Sequence, residues 1–122
     1  MHGWDKDMSE TRRRYLFVCA ANINRSPTAA DVFRTMAAEN GLDIEVNSAG
    51  ISPFSTNPMT KAMADEADLI LVMEDYMARE LETGYGQNPA KIVCLGIPDI
   101  CERGDPTLVR ILKRELSPHA KR

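Results

Sequence analysis

The chain has 122 residues, within the about 100 to 200 that one core usually serves, so a single domain is expected. Its 15 Lys and Arg against 18 Asp and Glu leave a net charge of -3, which offers no basic field for a polyanion and sets nucleic acid aside as a partner. The apolar stretches Tyr15 to Ala21 and Leu69 to Met73 fall well short of the roughly 18 residues of a membrane span, and residues 1–14 lack the apolar middle of a secretory signal. A cytoplasmic protein with no membrane partner is the expectation.

Residues 1–14 are polar without an apolar period and read as a mobile N-terminal extension, with the folded domain over 15–117 and a tail over 118–122. Tyr15-Leu16-Phe17-Val18-Cys19 is a β-favouring apolar run, predicted to be a buried strand. Ser26-Pro27 reads as an N-cap with Pro at the first helical position, opening a helix to Asn40, and Gly41 supplies a left-handed end. Ile44 to Ser48 is a second strand and Ala49 to Thr56 a loop. Asn57-Pro58 repeats the cap signature and predicts a helix to Ala67. Leu69 to Met73 is a third strand, Asp75 to Glu82 a short helix broken by Gly84 and Gly86, and Lys91 to Leu95 a fourth strand in which Cys94 is expected to pack. Asp105-Pro106 starts a last helix to Leu116. Strands alternating with helices, with continuous apolar strands, predict a parallel sheet covered on both faces. Ligands of such sheets sit beyond the carboxyl ends of the strands, where the strand order reverses.

The cysteines, Cys19, Cys94 and Cys101, lack the paired spacing of a zinc site, and the two histidines, His2 and His119, lie at opposite ends of the chain. Metal centres, Ser-His-Asp hydrolases and Cys-His proteases each need an imidazole held beside a nucleophile or metal, so no metal and no cofactor are expected. Catalysis is left to Cys, Asp, Arg and Ser. The turn after the first strand offers three of them: Cys19-Ala20-Ala21-Asn22-Ile23-Asn24-Arg25-Ser26. Backbone wrapped round a helix N-terminus presents the N–H groups of Ala20, Ala21, Asn22, Ile23, Asn24 and Arg25 to an anion, a phosphate cradle with a thiol at its floor. A helix N-terminus, a guanidinium and a hydroxyl donor all favour a thiolate, which would make Cys19 a nucleophile without histidine. Arg25 can bind two equatorial phosphoryl oxygens in fork geometry, and Ser26 can hydrogen-bond the sulfur and help it leave.

The segments FVCAANINRSPTAA, NSAG and ADLILVM resemble the low-molecular-weight protein tyrosine phosphatase family, whose phosphate loop has a C-x5-R-S pattern directly after the first strand. The NP-x-T, ADLI-x-VME and IPD...DP stretches are similar to a short bacterial branch of it, and the likeness runs over about residues 15 to 116. The resemblance implies a flavodoxin-like three-layer α/β sandwich with a four-stranded parallel sheet of order 2-1-3-4. It also implies a metal-independent phosphatase that passes through a phosphocysteine on Cys19. It makes Asn22 a loop-ordering amide and Ser48 its partner behind the cradle. Two family tyrosines that line the pocket after the acid are replaced by Cys101 and Glu102, and a loop cysteine found in many members is Asn24 here.

A general acid must reach the leaving oxygen. Asp99 and Asp105 both follow the fourth strand. Asp105 has a sufficient role as the cap of the last helix, and superposing that helix on the family puts the acid at Asp99, so Asp99 is preferred and Asp105 kept as the alternative. Cys101 on the same loop is either a bystander thiol or a trap for an oxidised Cys19. The expected substrate is a phosphorylated protein or a small aryl phosphate. Two rival readings remain: an arsenate reductase using Cys19 with a thiol relay through Cys94 and Cys101, and a non-catalytic phosphoprotein-binding pseudophosphatase.

Overall fold

The computed structural model describes residues 13–22, 25–97 and 103–120. Four strands, β1 (Arg13–Cys19), β2 (Ile44–Gly50), β3 (Leu69–Val72) and β4 (Ile92–Cys94), form one parallel sheet in the order β2-β1-β3-β4. This is the flavodoxin-like arrangement expected. Strand β1 is central because it can be apolar on both sides: Tyr15 to Cys19 are all buried. Its register runs Tyr15 to Val46 on one side and Tyr15 to Leu69 on the other. Arg13 and Arg14, read from the sequence with the preceding polar residues, already pair with Ile44 and Glu45.

The helices are α1 (Arg25–Glu39), α2 (Lys61–Glu66), α3 (Asp75–Gly84) and α4 (Pro106–Leu116). In a parallel sheet of this order the right-handed crossover rule puts α1 on one face and α2 and α3 on the other, and α4 packs on α1. The α1 face is closed by aromatics: Phe33 lies 5.2 Å from Tyr15 and 5.7 Å from Phe17 between ring centroids. Helix α4 buries Leu108, Leu112 and Leu116 at helical spacing, each worth about 1.5–3 kcal/mol of burial. Its N-terminus is as predicted, with Asp105 as cap and Pro106 at the first helical position.

Three boundaries depart from the sequence expectation, each for a local reason. Helix α1 starts at Arg25, so Ser26 lies inside the first turn and is not a cap. Asn57-Pro58 does not open a helix either. The Gly50 N–H donates to the Asn57 carbonyl at 3.0 Å and the Met59 N–H to the Gly50 carbonyl at 2.9 Å, which holds this segment extended against the end of β2. The cap falls instead to Thr60, whose hydroxyl accepts from the Met63 N–H at 3.2 Å. Strand β4 is a three-residue edge strand, and there Cys94 is exposed rather than packed.

Gly50 lies where β2 meets the turn after β1. A Cβ there would stand 2.5 Å from Ser55 Cβ and 2.7 Å from the Ala20 carbonyl oxygen, so only glycine allows this approach. Gly50→Ala is expected to destabilise the protein by about 1–3 kcal/mol, the cost of overpacking. An unchanged urea-denaturation midpoint would show that the loop yields freely.

Candidate active site

At the carboxyl end of β1 the backbone leaves the sheet and is held from outside by the β2–α2 loop. The Cys19 and Ala20 carbonyls accept from the N–H groups of Ile51 and Ser52, both at 2.9 Å, and the Ala21 carbonyl from that of Thr56 at 3.1 Å. Asn22 then takes φ = 56°, the only positive φ at a non-glycine among the described residues. Asparagine is tolerated in this left-handed region better than most residues. The turn brings the Asn22 N–H back to Cys19 Sγ at 3.1 Å. Ser26 Oγ lies 2.9 Å from the same sulfur and also donates to Asn22 Oδ1 at 2.8 Å. Cys19 is 3% exposed, so its sulfur depends on these neighbours rather than on bulk water for its polar contacts.

Arg25, the first residue of α1, is also 3% exposed. A buried guanidinium is costly unless it is paired and hydrogen-bonded. Its Nη1 donates to Glu74 Oε2 at 2.7 Å and to the Ile97 carbonyl at 2.8 Å. Glu74 precedes α3 and Ile97 follows β4, so one side chain ties α1 to the carboxyl ends of β3 and β4.

The sequence-predicted residues separate accordingly. Cys19, Asn22, Arg25 and Ser26 converge with Ala20 and Ala21 on one turn, whereas Ile23, Asn24, Asp99 and Cys101 lie outside the described residues. Asp105 caps α4 through the Thr107 N–H at 2.8 Å. Among the hydrogen bonds of the described residues, the hydroxyls that meet Asn22 are those of Ser26 and Thr56, not that of Ser48. Thr56 Oγ1 accepts from Asn22 Nδ2 at 3.2 Å and donates to the Asn22 carbonyl at 2.8 Å, while the Ser48 carbonyl accepts from Asn57 Nδ2 at 2.7 Å.

Sequence reasoning missed Thr56, Glu74 and Phe54. Glu74 had a signal, since an arginine placed in a buried turn demands a carboxylate and Glu74 directly follows an apolar strand. Phe54 had a weaker one, a lone large apolar residue in a Ser/Pro loop; it is 95% exposed at the tip of the loop that braces the cradle. Thr56 had none, because its contact depends on how the loop folds back.

Beside Glu74 a cavity of about 570 Å³ opens between α3 and β4, lined by Met73, Asp75, Tyr76, Arg79 and Cys94 among others. Partial desolvation there, with the Asp75 carboxylate accepting from the thiol, pushes Cys94 above the usual cysteine range. The sign is unfavourable to a thiol relay, because a raised thiol holds less thiolate at neutral pH. Cys94 is therefore expected to alkylate slowly at pH 7 although exposed, and Asp75→Asn to accelerate it. Peptide-resolved iodoacetamide labelling checks this, and equal rates in the two proteins would remove Asp75 as the cause.

The family model for low molecular weight phosphotyrosine protein phosphatase matches residues 14–64. A protein-arginine-phosphatase of Bacillus subtilis (strain 168) is 26% identical over 102 residues, covering 66% of this chain and 68% of that protein. The low molecular weight protein-tyrosine-phosphatase YfkJ of the same organism is 55% identical over 38 residues, 30% of this chain and 24% of its own length. The structure of the tyrosine phosphatase Wzb from Escherichia coli K30 in complex with phosphate superposes with a TM-score of 0.73 at 21% identity, covering 88% of this chain and 95% of that one, and so shares the fold. The family match spans β1, the cradle, α1 and β2, so this part of the chain is similar to low molecular weight phosphotyrosine protein phosphatases.

Proposed function

We propose that the protein hydrolyses phosphomonoesters, with phosphotyrosine in proteins or a small aryl phosphate as substrate, through a phosphocysteine on Cys19. The observation that carries this is the sulfur at the floor of the cradle. It is buried, contacted by the Ser26 hydroxyl and the Asn22 N–H, and set just before the N-terminus of the 15-residue helix α1. Each of these donors favours a negative charge on sulfur.

In the first step Cys19 Sγ attacks phosphorus in line. The S–P bond forms as the P–O bond to the leaving group breaks, and the leaving oxygen takes a proton from a carboxylic acid. Arg25 binds the equatorial oxygens, with Glu74 and Ile97 holding its Nη1 in place, so little reorganisation is needed as charge spreads over the phosphoryl group. In the second step the same carboxylate deprotonates a water. The new P–O bond forms, S–P breaks, and the sulfur departs toward the Ser26 hydroxyl. No step calls for a metal, because Arg25, the cradle N–H groups and the helix end supply the positive field.

Asp99 is our choice for the acid. Ile97, two residues before it in the sequence, gives its carbonyl to Arg25 beside the cradle. The carboxylate of Asp105, by contrast, already accepts from the Thr107 N–H at the start of α4. Phe54 supports an aryl substrate, standing in for the pocket aromatics absent at Cys101 and Glu102: its exposed ring can pack against the leaving group. A phosphoarginine substrate is a second reading, favoured by the relative named as a protein-arginine-phosphatase. The raised Cys94 thiol weighs against an arsenate-reducing relay.

Aryl phosphate turnover under reducing conditions is expected to resist chelator and to vanish in Cys19→Ser, which should still bind inorganic phosphate. Cys19-independent hydrolysis would overturn the reading, and preference for a phosphoarginine peptide over an aryl phosphate would move the substrate. Asp99→Asn is expected to lower turnover of a poor leaving group by about 10²- to 10⁴-fold. Asp105→Ala should cost about 1 kcal/mol of stability with turnover kept. The opposite pattern in paired kinetic and denaturation measurements would exchange the two roles.

A further inference from the structure

We infer that Thr56 is a positioning residue for the nucleophile, acting on Cys19 through Asn22; the inference rests on the phosphocysteine reading above. Thr56 touches neither the sulfur nor the guanidinium in any contact described. Its hydroxyl nonetheless makes two bonds to one residue, donating to the Asn22 carbonyl at 2.8 Å and accepting from Asn22 Nδ2 at 3.2 Å, and its own N–H donates to the Ala21 carbonyl at 3.1 Å. These bonds clamp the residue held at φ = 56°, a conformation that costs a non-glycine residue energy and persists only where its surroundings impose it.

Donor and acceptor chemistry fixes the direction of every link. A backbone carbonyl only accepts, so the Thr56 hydroxyl proton is spent on Asn22 O, and a Thr56 lone pair then faces the Asn22 side chain. The Asn22 carboxamide must therefore present Nδ2 to Thr56 and Oδ1 to Ser26. The Ser26 hydroxyl is left with one proton and two close acceptors, Asn22 Oδ1 at 2.8 Å and Cys19 Sγ at 2.9 Å, with the Ala49 carbonyl farther off at 3.4 Å. While Cys19 is a thiol, its own proton can go to Ser26 Oγ and that of Ser26 to Asn22. Once the sulfur is ionised, the Ser26 proton turns to it and the Asn22 N–H remains its second donor. Thr56 holds both arms of this arrangement: the backbone angle that aims the N–H, and the carboxamide face that meets Ser26.

Thr56 is exposed, so its substitution does not open the core. Thr56→Val keeps the shape and removes both hydroxyl bonds, whereas Thr56→Ser keeps them. With an aryl phosphate, Thr56→Val is expected to lower kcat about tenfold and leave KM within about twofold, because Arg25 still binds the phosphoryl group. The rate of Cys19 alkylation by iodoacetamide at neutral pH, resolved from Cys94 and Cys101 by peptide mass spectrometry, should fall in parallel, and Thr56→Ser should restore both. Wild-type kcat and alkylation in Thr56→Val would overturn the inference. A Thr56→Ser protein as impaired as Thr56→Val would do the same, by assigning the effect to packing. If wild type fails to hydrolyse the aryl phosphate but alkylation of Cys19 still slows in Thr56→Val and recovers in Thr56→Ser, the positioning role stands and the phosphatase reading falls.

Discussion

A guanidinium withdrawn from water at the start of α1 is the constraint around which the upper end of this molecule is arranged. Arg25 can be buried only because an anionic oxygen and a carbonyl meet it, and these come from the ends of two different strands. Satisfying that one charge fixes where β3 and β4 must stop, where α3 begins, and the height at which α1 starts relative to the sheet. The sulfur of Cys19 lies on the other side of the same turn. Its donors are fixed by a second set of bonds running to the β2–α2 loop, so sulfur and guanidinium are held from opposite sides of the central strand.

Most of the fold was legible because β1, β3 and α4 announce themselves by pattern: unbroken apolar runs for the strands, and Asp105-Pro106 followed by Leu108, Leu112 and Leu116 for the helix. The misreadings share a physical cause. Ser26-Pro27 and Asn57-Pro58 both carry a correct local cap signature, and in both a tertiary demand overrode it. Ser26 is engaged by a sulfur and an amide, and Asn57 by pairing with Gly50. Cys94 was expected to be buried from the apolar character of its neighbours, yet an edge strand of three residues hides only one side.

The site divides along the same line. Cys19, Arg25 and Ser26 were readable because their spacing within one turn encodes their geometry. The partners of that turn were not, since Glu74, Ile97 and Thr56 reach it only through the sheet order and the path of a loop. Thr56 meets Asn22 from 34 residues further along the chain, so sequence position says little about such a contact. The hydroxyl comes from the returning loop instead of from the strand.

The separation of Arg25 from its partners along the chain also governs how the site comes into being. The sulfur, Asn22, Ser26 and Thr56 all belong to the first half of the chain and meet through a single crossover from β1 to β2. Glu74 and Ile97 lie 49 and 72 residues from Arg25 and arrive only when β3 and β4 have docked. Closing those long loops comes late in folding, because their entropy must be lost before any contact repays it. A chain arrested before β3 would contain the partners of the thiol named above and neither partner of the cation. Competence at this centre is thus a property of the completed sheet and should disappear with the second half of the fold, whatever becomes of the first.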